Sequence, residues 1–125
     1  MKRVLIIVAA GFLFNSVQAQ DDAEEYKVVL PPDAQKCVLP ASPDKIPDEA
    51  SYDQLKEAKA QIASFQVDVE VFRECLHAAE ENPENTEGNK QAMISSFNYS
   101  VDMEERIAER FNVAIRSYKA RKAAE

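Results

Sequence analysis

Residues 51–81 read SYDQLKEAKAQIASFQVDVEVFRECLHAAEE, and in them Leu55, Ala58, Ile62, Phe65, Val69, Phe72, Leu76 and Ala79 step alternately by three and four. Apolar side chains at that interval return to one side of an α-helix at every turn. The stretch therefore predicts an amphipathic helix with an unbroken coiled-coil seam over four heptads. Its start is marked by Ser51 and Gln54, which have capping-box spacing: the hydroxyl accepts from an early backbone N–H and the glutamine accepts from the serine N–H. Its end is marked by Asn82-Pro83, because proline lacks the N–H that the next helical bond needs and disfavours helix in the residue before it.

After the turn-rich stretch 82–88, Asn-Pro-Glu-Asn-Thr-Glu-Gly, the same interval returns in Ile94, Phe97, Val101, Glu104, Ala108, Phe111, Ile115 and Tyr118. Folding the chain back at that loop pairs Leu76 with Ile94, Val69 with Val101, Ile62 with Ala108 and Leu55 with Ile115. The fold class read from this pattern is all-α. It is an antiparallel two-helix coiled-coil hairpin over 51–122, with helices at about 51–81 and 88–121, and a Pro-rich extended N-terminal segment stapled to helix one. Glu104 alone breaks the second seam, opposite Phe65, where a charge is costly unless it reaches solvent or a partner. The expectation is a slight rotation in which Met103 and Ile107 carry the packing and Glu104 reaches out. The competing reading is a buried polar residue that fixes register.

Residues 1–19 have the plan of a secretory signal peptide: Lys2 and Arg3, an apolar run from Val4 to Phe14, then Val17-Gln18-Ala19 as a small-residue cleavage site. An uncleaved anchor is the alternative, but the run is shorter than the ~20 apolar residues a span requires. No cysteine follows it, so no lipid anchor is implied. Cleavage removes two basic residues and no acidic ones, leaving 13 basic against 22 acidic side chains. So acidic a chain is not expected to take nucleic acid or an anionic lipid surface as its primary partner. The expectation is a periplasmic or secreted protein with no membrane span after cleavage. Residues 20–36 read as an acidic flexible segment and 37–50, with Pro40, Pro43 and Pro47, as an extended one.

Two cysteines, Cys37 and Cys75, in an exported chain point to a disulfide. The reach permits one within the chain. From Ser51 to Cys75 a helix climbs about 36 Å, and the 14 steps from Cys37 to Ser51 cover about 43 Å as polyproline II. A bond between two copies is the alternative. The pairing within one chain lays residues 37–50 along helix one, where a flank stripe of Ala60, Ser64, Val67, Val71, Cys75 and Ala78 awaits cover. Val28, Val29, Leu30, Val38, Leu39 and Ile46 are the side chains expected to supply it.

The residues offer no catalytic constellation. His77 is the sole histidine, neither cysteine belongs to a C-x-x-C pair, and no glycine-rich phosphate loop occurs. The expectation is a non-enzyme without a cofactor. His77 with Glu74, Glu80 and Glu81 is a conceivable metal set, against the commoner reading of a solvated helix end. Arg116, Lys119, Arg121 and Lys122 gather where cations favour a helix C-terminus. The fold-back sets them beside Asp48, Glu49, Asp53 and Glu57. Asn98-Tyr99-Ser100 matches a glycosylation triplet, but inside a predicted helix it is set aside. The candidate partner face is Val67, Val71, Met93, Met103 and Ile107, since methionine-containing surfaces adapt to partners. The ordinary reading of its methionine side is a packing flank.

The run Cys37-Val-Leu-Pro-Ala-Ser-Pro-Asp-Lys-Ile-Pro-Asp-Glu-Ala, with the later Arg110-Phe-Asn-Val-Ala-Ile-Arg-Ser-Tyr-Lys119, resembles a group of uncharacterised small exported proteobacterial proteins. In these a Cys-x-x-Pro…Ile-Pro-Asp stretch precedes a helical hairpin. The resemblance spans about residues 37–121 and implies neither an activity nor a site. The functional expectation is a non-enzymatic interaction or structural protein of the cell envelope, binding itself or an envelope protein through helical faces. A small periplasmic chaperone or holdase is the alternative.

Overall fold

A computed structural model describes residues 27–125; the expected signal peptide and the first part of the acidic segment lie outside the described residues. The chain is all-helical there: α1 spans Pro32–Gln35, α2 spans Tyr52–Glu80 and α3 spans Glu87–Ala123, with no strand among the described residues. The two long helices pack on each other.

Both long helices begin with reciprocal caps. Ser51 Oγ accepts from Gln54 N at 3.2 Å and Gln54 Oε1 accepts from Ser51 N at 2.9 Å. Thr86 and Asn89 repeat the arrangement at α3, at 3.1 and 3.0 Å. Each box satisfies two backbone donors that a helix start leaves without partners. At the far end of α2, Asn85 Nδ2 donates to the Ala79 carbonyl at 2.8 Å, so the loop side chains close the helix as Pro83 prevents its continuation.

The α2 seam is buried as its spacing predicts. Leu55, Ala58, Phe65, Val69, Phe72, Leu76 and Ala79 are all buried, and Ile62 is half-buried. From Ile62 onward they form two clusters with α3. Phe72, Leu76 and Ala79 pack with Met93 and Ala34, flanked by Leu30, Leu39 and Phe97; Phe65 and Val69 pack with Ile107, flanked by Leu39, Ile62 and Met103. Burial of each large side chain contributes about 1.5–3 kcal/mol, which makes this narrow core the main source of cohesion.

The α3 seam differs from the expected one. Met93, Ser100 and Ile107 are buried, while Ile94 is 49% exposed and Val101, Ala108 and Ile115 are half-buried. Replacing 94, 101 and 108 by 93, 100 and 107 turns the helix by about half of one residue's 100° step. The rotation brings in Met93, which fills the space beside Leu76 that Ile94 was expected to fill. Ile107 is buried and Met103 half-buried, as a rotated helix requires.

The described part of the expected flexible segment, residues 27–36, is docked. Pro31 and Ala34 are buried, Asn89 Nδ2 donates to the Val29 carbonyl at 2.8 Å, and Asn82 Nδ2 donates to Asp33 at 3.2 Å. The chain crosses the start of α3 so closely that a Cβ on Gly88 would overlap the Lys27 carbonyl. Only glycine admits that crossing. The docking rests on Leu30, Pro31 and Ala34 and on side-chain hydrogen bonds from Asn82 and Asn89, while the more apolar-looking Val28 and Val29 stay exposed.

Candidate functional site

The disulfide Cys37–Cys75 joins residues 38 apart in sequence, with Cα atoms separated by 5.6 Å. The pair lies within one chain. Past Cys37, Leu39 touches both core clusters, and Asp44 clasps Gln61: Asp44 N donates to Gln61 Oε1 at 3.1 Å, and Gln61 Nε2 donates to Asp44 Oδ2 at 3.3 Å. Ala50 is buried, and Arg121 of α3 donates to its carbonyl at 2.7 Å and to that of Asp48 at 3.4 Å. Residues 37–50 thus contact α2 at Cys75 and Gln61 and then the end of α3.

The basic end divides between backbone carbonyls and carboxylates of its own helix and tail. Arg121 caps carbonyls, Arg116 pairs with Glu109 at 3.0 Å and Lys122 with Glu125 at 3.1 Å. Among the described residues no ion pair joins this end to Asp48, Glu49, Asp53 or Glu57 as the sequence suggests.

The candidate partner face divides. Val67 and Val71 stay on the surface, 65% and 59% exposed, whereas Met93 and Ile107 are buried and Met103 is half-buried against Phe65 and Val69. Met93, Met103 and Ile107 therefore belong to the core and leave the partner face. The expected cover over Val67 and Val71 is missing for a geometric reason. Four-residue steps advance 400°, so each one drifts 40° around the helix. Cys75 sits beside the seam, Val71 lies farther round, and Val67 points away from it. Val28, Val29 and Val38, expected to cover them, are themselves exposed.

Between the helices sits a polar node. Arg73 Nε donates to the buried Ser100 Oγ at 3.0 Å, and that hydroxyl donates to the Phe97 carbonyl at 2.6 Å. The guanidinium lies over the Phe97 ring, 5.6 Å from its centroid, and 3.6 Å from Glu70. Its Nη2 lies 2.8 Å from Glu104 Oε2, yet the approach is too oblique for a hydrogen bond, so that contact is a close ion pair. Glu104 therefore turns to Arg73 and not simply to solvent. A signal existed in the sequence: the one charge in the α3 seam called for a countercharge, and past Lys59 Arg73 is the only lysine or arginine of α2.

His77 contacts Glu80 at 3.3 Å and faces the Phe97 ring at 5.7 Å. Among the described residues no group of three or more His, Cys, Asp and Glu side chains converges. A concavity of roughly 740 Å³ is an open groove where Ile46 and Pro47 face Val113 and Ala114. No described helix is long and apolar enough to cross a membrane. In comparisons with known proteins, no family model, curated protein or solved structure matches the chain.

Proposed function

We propose that this protein is an exported, non-enzymatic interaction protein of the bacterial cell envelope: an antiparallel two-helix hairpin with a Pro-rich segment stapled to its first helix, binding protein partners through helical faces. The antiparallel arrangement is supported by the order of contacts, Tyr52 against Tyr118, Arg73 against Ser100 and Leu76 beside Met93. Export to the periplasm is supported by the signal-like residues 1–19 and by the Cys37–Cys75 disulfide, which suits an oxidising compartment.

The observation that carries the interaction reading is the pair Val67 and Val71, both more than half exposed on a helix whose opposite side is locked into the core. Two β-branched side chains one turn apart on a rigid support form a preorganised apolar contact. Binding there costs little conformational entropy. The test is photocrosslinking from position 71 in intact cells, with Val71→Asp as the comparison in a tagged capture. One or two stoichiometric envelope proteins, lost in Val71→Asp, are expected. A broad spread of unrelated exported proteins identifies a holdase instead.

A further inference from the structure

The most regular apolar repeat of α3 is not consumed by the core. Ile94, Val101, Ala108 and Ile115 recur every seven residues on the flank away from Pro43, Ile46 and Pro47, and none of the four is fully buried. Among apolar α3 side chains only Ala92, Met93 and Ile107 are buried, in a helix of 37 residues. A second apolar repeat therefore runs beside the first, half-buried at Val101, Ala108 and Ile115 and exposed at Ile94.

The charge distribution identifies what fits this flank. Residues 27–42 and 67–105, the half of the described molecule around the 82–88 loop, hold eleven acidic and four basic side chains; residues 43–66 and 106–125, the other half, hold nine basic and seven acidic. Two copies side by side in the same direction bring like ends together. In opposite directions each acidic half lies along a basic one.

A twofold axis through Ala108 satisfies that requirement residue by residue. Val101 and Ile115 stand seven positions on either side of Ala108, so each meets the other across the axis while Ala108 meets itself and admits close approach. On α2 the residue at the same height is the exposed Ala63, between Ile62 and Phe65, which pack about Ile107. Lys56 and Glu70 stand seven positions on either side of Ala63, so Lys56 of each copy faces Glu70 of the other. Both are exposed in the single chain.

We propose that this flank binds a second copy of the chain, antiparallel about an axis through Ala63 and Ala108, forming a four-helix assembly. The proposal deepens the interaction reading by naming a partner for the side opposite the Pro-rich segment.

The experiment measures the mass of the mature, disulfide-intact protein by sedimentation from roughly 1 to 100 µM, a range that detects dimers of ordinary affinity. A concentration-dependent dimer is expected. Ala108→Glu sets two like charges at the axis and should weaken it at least about tenfold, whereas Glu109→Gln on the other flank should not. Glu70→Lys should weaken the dimer and Lys56→Glu/Glu70→Lys should restore it, a reversal that misfolding of either variant cannot produce. In a chain retaining its native disulfide, Ala108→Cys should oxidise to a covalent dimer, and Val67→Cys should not. A monomer throughout the range, or a dimer indifferent to both Ala108→Glu and the charge swap, overturns the proposal. A monomer that keeps its Val71-dependent envelope crosslink overturns it alone; an intact dimer with no such crosslink overturns only the Val67–Val71 face.

Discussion

Replacing Glu104 by leucine completes the apolar repeat of α3, and a regular coiled coil would gain stability from it. The Arg73 node predicts the opposite. Arg73 is only 13% exposed, and its close partners are Glu104 at 2.8 Å, Ser100 at 3.0 Å and the more distant Glu70 at 3.6 Å. Removing one partner from a fully buried ion pair costs about 3–5 kcal/mol, because the remaining charge is left uncompensated. Here Glu104 is 30% exposed and Glu70 persists, so solvent and the second carboxylate screen part of the loss. A loss of about 1–2 kcal/mol remains, a fall in Tm of roughly 5–15 °C for a domain of this size. The double variant Arg73→Met/Glu104→Leu removes both charges and should return to within about 1 kcal/mol of the parent or exceed it. Urea denaturation of the four proteins at neutral pH and one protein concentration gives the coupling directly. A single Glu104→Leu variant as stable as the parent or more so, with no coupling to Arg73, refutes the argument.

Reducing Cys37–Cys75, or replacing both residues by serine, should cost about 3–4 kcal/mol through the loop of 38 residues it closes, on the chain-entropy model; denaturation with and without reductant reads it. Gly88→Ala in an open helix would stabilise by about 1 kcal/mol. Here the new Cβ displaces the Lys27 carbonyl, so that gain should be absent and tryptic cleavage after Lys27 should quicken. Arg121→Ala removes the donor to the buried Ala50 carbonyl and should cost about 1–2 kcal/mol, with faster amide exchange near Ser51; Arg121→Lys should rescue little, since one ammonium cannot reproduce the planar fork. Leu76→Ala should cost about 2–5 kcal/mol, because that side chain is fully buried between Phe72 and Met93.

The helix content was legible because two signals agreed in α2: a three-four repeat with strong apolar residues and a capping box at its start. In α3 the signals competed. The series Ile94, Val101, Ala108, Ile115 and the series Met93, Ser100, Ile107, Ala114 share Phe97, Glu104 and Phe111, and local hydrophobicity favours the first. Tertiary contacts chose the second, through Met93 beside Leu76 and the hydrogen bond from Arg73 to Ser100. The docked stretch at 27–36 was illegible for another reason. Besides the buried Pro31 and Ala34, its attachment uses the missing side chain of Gly88 and a backbone carbonyl held by Asn89, and neither of these leaves a hydrophobic pattern. The Val67–Val71 pair was seen, but its exposure was not, because a four-residue stripe winds off the seam it begins beside.

The Cys37–Cys75 bond also sets how the molecule bears tension. Residues 37–75 form a closed covalent ring that contains the Pro-rich segment and most of α2, so force applied between the two ends of the described chain passes through the bond and bypasses them. At about 3.4 Å per residue, the 38 chain steps that the bond short-circuits remove about 125 Å from the fully drawn-out length. Stretching can peel α3 away while α2 from Tyr52 to Cys75 stays out of the load path.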